Sequence, residues 1–203
     1  MRTLIIIPII HTERDMGSLL EQVKHEYLTR YGHEKWVEHL QTIEEVWTGI
    51  EQIIAALELP YATVRLYQDG LPICDKEAAI VADVARSGSR NHLLITKLIA
   101  RGATLMGTEN AELLVREYQL VKALVSNPKP APEDRSQLEV DSKALLSERD
   151  RFIAARIDDT LRAGEIGLLF LGMAHAVEEH LPSDLLVRHL LPALNKPQQV
   201  TAP

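Results

Sequence analysis

From Leu4 to Ile10 the apolar residues run without a break. Thr3-Leu-Ile-Ile-Ile-Pro-Ile-Ile10 is rich in β-branched side chains and lacks a helical period, which predicts a strand buried on both faces, as in a parallel sheet covered by helices. Pro8 donates no ladder hydrogen bond and belongs near that strand's end. A helix is expected from about Ser18 to Gly32. The next segment carries the clearest helical pattern: Trp36, Leu40, Ile43, Trp47, Ile50, Ile54 and Leu57 alternate at spacings of four and three, with Glu38, Gln41, Glu44, Glu45, Glu51 and Gln52 on the other side. Val37, Val46 and Ile53 widen the stripe beyond a narrow coiled-coil seam, so it reads as a helix packed on the chain's own sheet, the alternative being a homo-oligomer seam over 36–57.

Further strands are predicted at 61–67 (YATVRLY), closed by Asp69, Gly70 and Pro72, at 103–107 (ATLMG), at 167–172 (GLLFLG) and within 184–191 (DLLVRHLL). Between them lie helical patterns at 76–86 and 89–101. Another helix, from Asn110, carries Leu114, Tyr118, Val121 and Val125. A last one is expected over 136–163, with Ser147 able to cap a second segment. The one linker-like stretch is Ser126 to Arg135, with prolines at 128, 130 and 132, read as a flap or crossover. Apolar strands separated by helices predict a single α/β domain over 1–194, a small, largely parallel central sheet flanked by helices, followed by a disordered tail at 195–203.

Charge narrows the function. The 203 residues carry 22 Lys and Arg against 29 Asp and Glu, a net charge of −7, and the cations are scattered. Phosphate affinity needs clustered cations, so no nucleic-acid partner is expected. The seven-residue apolar run from Leu4 to Ile10 is too short to cross a bilayer and has no small-residue cleavage site, so no membrane role is expected and the protein reads as cytoplasmic. The single cysteine, Cys74, forms no internal disulfide and reads as inert.

Ligands of such sheets bind beyond the carboxyl ends of the strands. There the sequence places His11 with Glu13 and Asp15, then Asp69, Glu109 and His175. Two imidazoles and several carboxylates at one edge are a donor set for a divalent transition metal. His175 and His180 are five apart and share no helical face, which excludes a zincin pair, and neither a GxxxxGK[ST] nor a GxGxxG loop occurs. The histidines at 25, 33, 39, 92, 180 and 189 receive no role.

The segment from Glu148 to His175, ERDRFIAARIDDTLRAGEIGLLFLGMAH, resembles the closing motif of the TraB and TIKI families, related to the erythromycin esterase and ChaN-like fold group. In those families a helix opening with Glu-Arg-Asn leads through a glycine to an apolar strand ending in Gly-x-x-His. Here the corresponding residues are Glu148-Arg149-Asp150 and Gly172-Met173-Ala174-His175. The families' earlier Gly-x-x-His corresponds to Pro8-Ile9-Ile10-His11, with proline in place of glycine. The resemblance implies His11 and His175 as ligands of a divalent cation (Mn, Co or Zn), Glu148 as a further ligand or general base, and hydrolysis of amide or ester bonds in a small-molecule or peptide substrate; beside it, Glu109 or Glu13 is read as a further ligand or the base. Arg149 and Arg151 read as a solvated helix face, oxyanion stabilisation being the alternative. The rival reading, prompted by Pro8, is a non-catalytic ligand-binding or regulatory protein that keeps the fold and has lost the metal.

Overall fold

A computed structural model describes residues 1–10, 20–126 and 131–191. Five parallel strands form one sheet: β1 (Arg2–Ile9), β2 (Val64–Gln68), β3 (Thr104–Met106), β4 (Ile166–Gly172) and β5 (Leu185–His189), in the order β3-β2-β4-β1-β5. Five α-helices connect them among the described residues: α1 (Leu20–Ala56), α2 (Glu77–Arg86), α3 (Arg90–Ala100), α4 (Ala111–Ser126) and α5 (Pro132–Thr160). The predicted α/β class with a parallel sheet is the class observed.

Strand β1 is buried on both sides because alternate residues feed two cores. Ile5, Ile7 and Ile9 join Leu168 and Phe170 of β4 beneath Ile43, Trp47, Ile50 and Ile54 of α1 and Leu94, Ile95 and Leu98 of α3. Leu4 and Ile6 join Leu169 and Leu171 beneath Ile153, Ala154 and Ile157 of α5. The molecule is thus three-layered, with α1, α2 and α3 on one face and α5 on the other. Burial of each such aliphatic side chain is worth about 1.5–3 kcal/mol before entropy is subtracted. Pro8 lies next to the strand's end. The Ile6 carbonyl accepts from the Leu190 amide, so residues of its parity turn their main chain toward β5, whose pairing ends at Ile6 with His189. The N–H that Pro8 lacks would have had no strand to meet.

The 36–57 stripe faces the sheet. Trp36, Ile43, Trp47, Ile50 and Ile54 are buried, whereas Val37 and Leu57 are exposed. Ile43, Trp47, Ile50 and Ile54 pack in the core shared with the chain's own strands, while Trp36 lies against Tyr27 and His39 of the same helix. Gly32, at φ +82° and ψ 170°, breaks α1 where the sequence expected the first helix to end. Several boundaries differ from expectation. Residues 61–63 form a 3-10 turn and only 64–68 pair as β2, and Tyr118 of α4 is exposed. α5 runs unbroken from Pro132, which takes the first helical position where its missing N–H costs nothing, so Ser147 caps no second segment and its hydroxyl accepts from Arg151 instead. The linker thus resolves into the end of α4 and the start of α5, while 127–130 and the 195–203 tail lie outside the described residues.

The topology sets where a ligand binds. From β1 the chain leaves into α1 and from β2 into α2, both on the first face, whereas β3 leads by α4 to α5 on the second. β4 lies between β2 and β1, and the turn after it sends Val177 into the second core. Chain segments therefore part to opposite faces on both sides of β4, and a crevice opens at its carboxyl end.

Candidate functional site

A cleft of about 820 Å³ occupies that crevice, lined by Ile9 and Ile10 at the end of β1, Gln68 to Leu71 at the end of β2 and Gly172 to His175 at the end of β4. Its floor is a chain of charged groups. Asp69, the residue after β2, places Oδ2 3.0 Å from the Gly172 amide, which donates to it, and 3.3 Å from His175 Nε2. A Cβ on Gly172 would stand 2.9 Å from that same oxygen, so the first glycine of Gly-x-x-His is what lets the carboxylate rest on the strand end. The other ring nitrogen, His175 Nδ1, lies 2.5 Å from Asp150 Oδ1, and Asp150 Oδ2 accepts from the Ala176 amide at 3.0 Å. A carboxylate thus grips both the imidazole and the turn that carries it.

Behind Asp69 stands Arg149, 3% exposed. Its Nη2 donates to Asp69 Oδ1 at 2.7 Å and to Glu109 Oε1 at 2.5 Å, its Nε donates to Glu109 Oε2 at 2.8 Å, and its Nη1 pairs with Glu117 of α4. Glu109 is fully buried and also accepts from the Gly70 amide at 2.8 Å, which ties the loop after β3 to the loop after β2. Four carboxylates, at 69, 109, 117 and 150, surround two cationic side chains.

Burial works against the charges of His175, Asp69, Glu109 and Arg149, and the neighbours decide how far. For His175 burial favours the neutral ring, but the hydrogen bonds with Asp150 and Asp69 prevail and raise it to about 9. Burial would raise Asp69; the hydrogen bond and charge of His175, with Arg149 beyond, hold it well below the usual carboxylate range. Glu109 moves the other way: its burial outweighs Arg149 and raises it. Arg149 itself is raised by its acidic partners against the effect of burial.

The residues expected from the sequence divide on this floor. His175 and Glu109 are part of the network, Glu109 as the partner that fixes Arg149. Glu148 is not brought to it: it is 41% exposed and accepts from Arg116 of α4 at 2.6 Å. The reason is helical geometry. Ile153 and Ile157 define the inward face of α5, and positions 149 and 150 lie on that face four and three residues before Ile153, whereas 148 turns away. Arg149 is accordingly no solvated side chain, and the expectation for it is corrected; Arg151 is exposed as expected. His11, Glu13 and Asp15 lie outside the described residues.

Sequence reasoning passed over Asp150 as a variant of a motif asparagine and left Asp69 as one edge carboxylate among several. The available signal was charged residues standing in the apolar register of a helix, at 149 and 150 ahead of 153 and 157.

Among the described residues no three His, Cys, Asp or Glu side chains form a metal-binding group. The pair His175 Nε2 and Asp69 Oδ2 nevertheless suits a divalent cation. Two donors each about 2.0–2.2 Å from one ion stand about 3 Å apart when roughly at right angles, close to the 3.3 Å observed. The Asp150 contact is the orienting hydrogen bond that metal-binding histidines commonly make through their other nitrogen. Compared with protein-family models, curated proteins and solved structures, the chain matches none. No helix among the described residues is long and apolar enough to cross a membrane.

Proposed function

We propose that the cleft holds a divalent cation between His175 Nε2 and Asp69 Oδ2 and hydrolyses an amide or ester bond of a small molecule or peptide. The observation that carries this reading is the line Asp150–His175–Asp69 at the carboxyl end of β4. Asp150 anchors Nδ1, so that the Nε2 lone pair is directed at Asp69 once the ring is neutral. Asp69 thereby takes the ligand role expected of Glu148, while His11, the other histidine that the resemblance implies, lies outside the described residues. A cation held there would supply Lewis-acid polarisation of a carbonyl and a bound water acidic enough to ionise near neutrality.

The chain's own groups complete the arrangement. Arg149, fixed by Glu109 and Glu117, lines the cleft with its charge, where it can face the oxygen that becomes negative as a carbonyl is attacked. Ile9, Ile10, Leu71 and Leu146 give the cleft apolar walls that limit water.

Calorimetric titration of chelator-treated protein with Mn²⁺, Co²⁺ and Zn²⁺ tests the proposal, beside a panel of chromogenic esters and amides assayed with and without added cation. His175→Ala and Asp69→Asn should each lower cation affinity at least tenfold and remove the cation-dependent hydrolysis. Equal affinity in wild type and the double variant would end the proposal. A second reading, ligand binding without catalysis, is favoured by the way Arg149 already engages Asp69, Glu109 and Glu117. It requires that cations leave the protein's affinity for small ligands unchanged.

A further inference from the structure

Among the described residues one buried side-chain polar atom has no partner. Asn91, in the first turn of α3, is 2% exposed and lines the cleft, and its Oδ1 accepts nothing. The orientation of its amide is fixed by a chain of contacts that starts at the backbone. The Asp69 carbonyl can only accept, so the Gln68 side chain presents Nε2 to it, at 2.8 Å. Gln68 must then offer Oε1 to Asn91, which answers with Nδ2 at 2.9 Å. Asn91 is left with its oxygen unengaged, and turning the amide over would set Asn91 Oδ1 against Gln68 Oε1, two acceptors face to face. Ser89 caps α3 and holds this turn in place by accepting from the His92 amide.

Buried acceptors without partners are rare in folded proteins because the group loses its hydration and gains nothing. Asn91 lines a ligand-sized cleft whose lining also includes the apolar residues Ile80 and Val84. We propose that Asn91 Oδ1 receives an N–H or O–H donor of the ligand, so that this cleft takes small molecules bearing a donor, such as a primary amide, next to a short branched apolar group. The inference deepens the hydrolase reading and rests on it for the identity of the cleft as a substrate site. The cation and Asn91 act through different side chains, so the two can be tested apart.

The probes are isobutyramide and methyl isobutyrate, which share an apolar body and differ in the donor. Each is titrated to millimolar concentration while the Ile80 and Val84 methyl resonances and the Asn91 side-chain amide are followed by NMR, in wild type and in Asn91→Leu. Isobutyramide should bind wild type roughly two- to tenfold more tightly than the ester, the range of one net hydrogen bond. The preference should vanish in Asn91→Leu while its Mn²⁺ affinity stays that of wild type. Equal binding of the two probes to wild type, as a resident water on Asn91 would give, overturns the inference, as does binding of neither probe or a preference that survives in the variant. If Asn91→Leu does not fold, the comparison in wild type decides alone. An amide preference without cation binding would uphold Asn91 and remove the hydrolase reading; cation-dependent hydrolysis without the preference would do the reverse.

Discussion

Replacing Arg149 with methionine removes the one guanidinium that Glu109, Asp69 and Glu117 share. In the folded protein Glu109 has no exposed surface and Asp69 only 14% of its side chain, so neither regains water when the cation goes. Breaking a buried pair from one side costs about 3–5 kcal/mol, because a charge is left uncompensated. For a chain of this length about 2–4 °C of Tm accompanies each kcal/mol, so Arg149→Met should melt roughly 6–20 °C below wild type. Adding Glu109→Gln takes away the most buried of the orphaned charges. The double variant should therefore recover stability relative to Arg149→Met, with a coupling of about 1–3 kcal/mol. Glu109 is raised by its burial and protonates more readily without Arg149, so the single variant should also be less impaired at pH 5 than at pH 8. Urea unfolding followed by circular dichroism at both pH values measures all three quantities. A loss below about 1 kcal/mol, or strict additivity of the two substitutions, would refute the claim that Arg149 neutralises a buried acidic floor.

Other consequences follow from the same geometry. With chelator present, His175 is raised to about 9, so the stability it contributes is complete below its unfolded value near 6.5 and is lost as pH rises through 9; His175→Gln should flatten the fall in stability between pH 7 and 10, and an unchanged slope would contradict the pairing. Asp150→Ala frees both the His175 ring and the Ala176 amide, so calorimetry should show cation affinity reduced about 10- to 100-fold. Trp47 is fully buried and its indole N–H donates to the Ile10 carbonyl at 2.9 Å, so Trp47→Ala should cost about 3–5 kcal/mol of stability while leaving the sedimentation coefficient of the folded protein unchanged.

The sheet was legible because β1 and β4 carry apolar runs and turn residues such as Asp69, Gly70 and Gly107 follow β2 and β3, signals that depend only on local chemistry. The stripe from Trp36 to Ile54 was legible for the same reason, its period being that of a helix with one covered face. The edge of the sheet on which chemistry converges also followed from strand order and polarity alone. What escaped was the choice among neighbours in α5. Glu148, Arg149 and Asp150 are adjacent and all charged, and which two face inward depends on a helical phase that Ile153 and Ile157 set several residues later. The polarity of Asn91 was invisible as well, since it is imposed by a carbonyl 22 positions earlier, at Asp69.

The place of β1 between β4 and β5 has a consequence for synthesis. Both of its neighbours, β4 and β5, follow it by more than 150 residues, so β1 waits for strands made much later. While ribosomes are still translating, the Leu4 to Ile10 segment is an apolar, β-prone stretch with bare edges, the kind of sequence that joins other nascent chains. Shielding of that segment, by early α1 contacts or by a chaperone, is therefore a condition for a good yield of native protein.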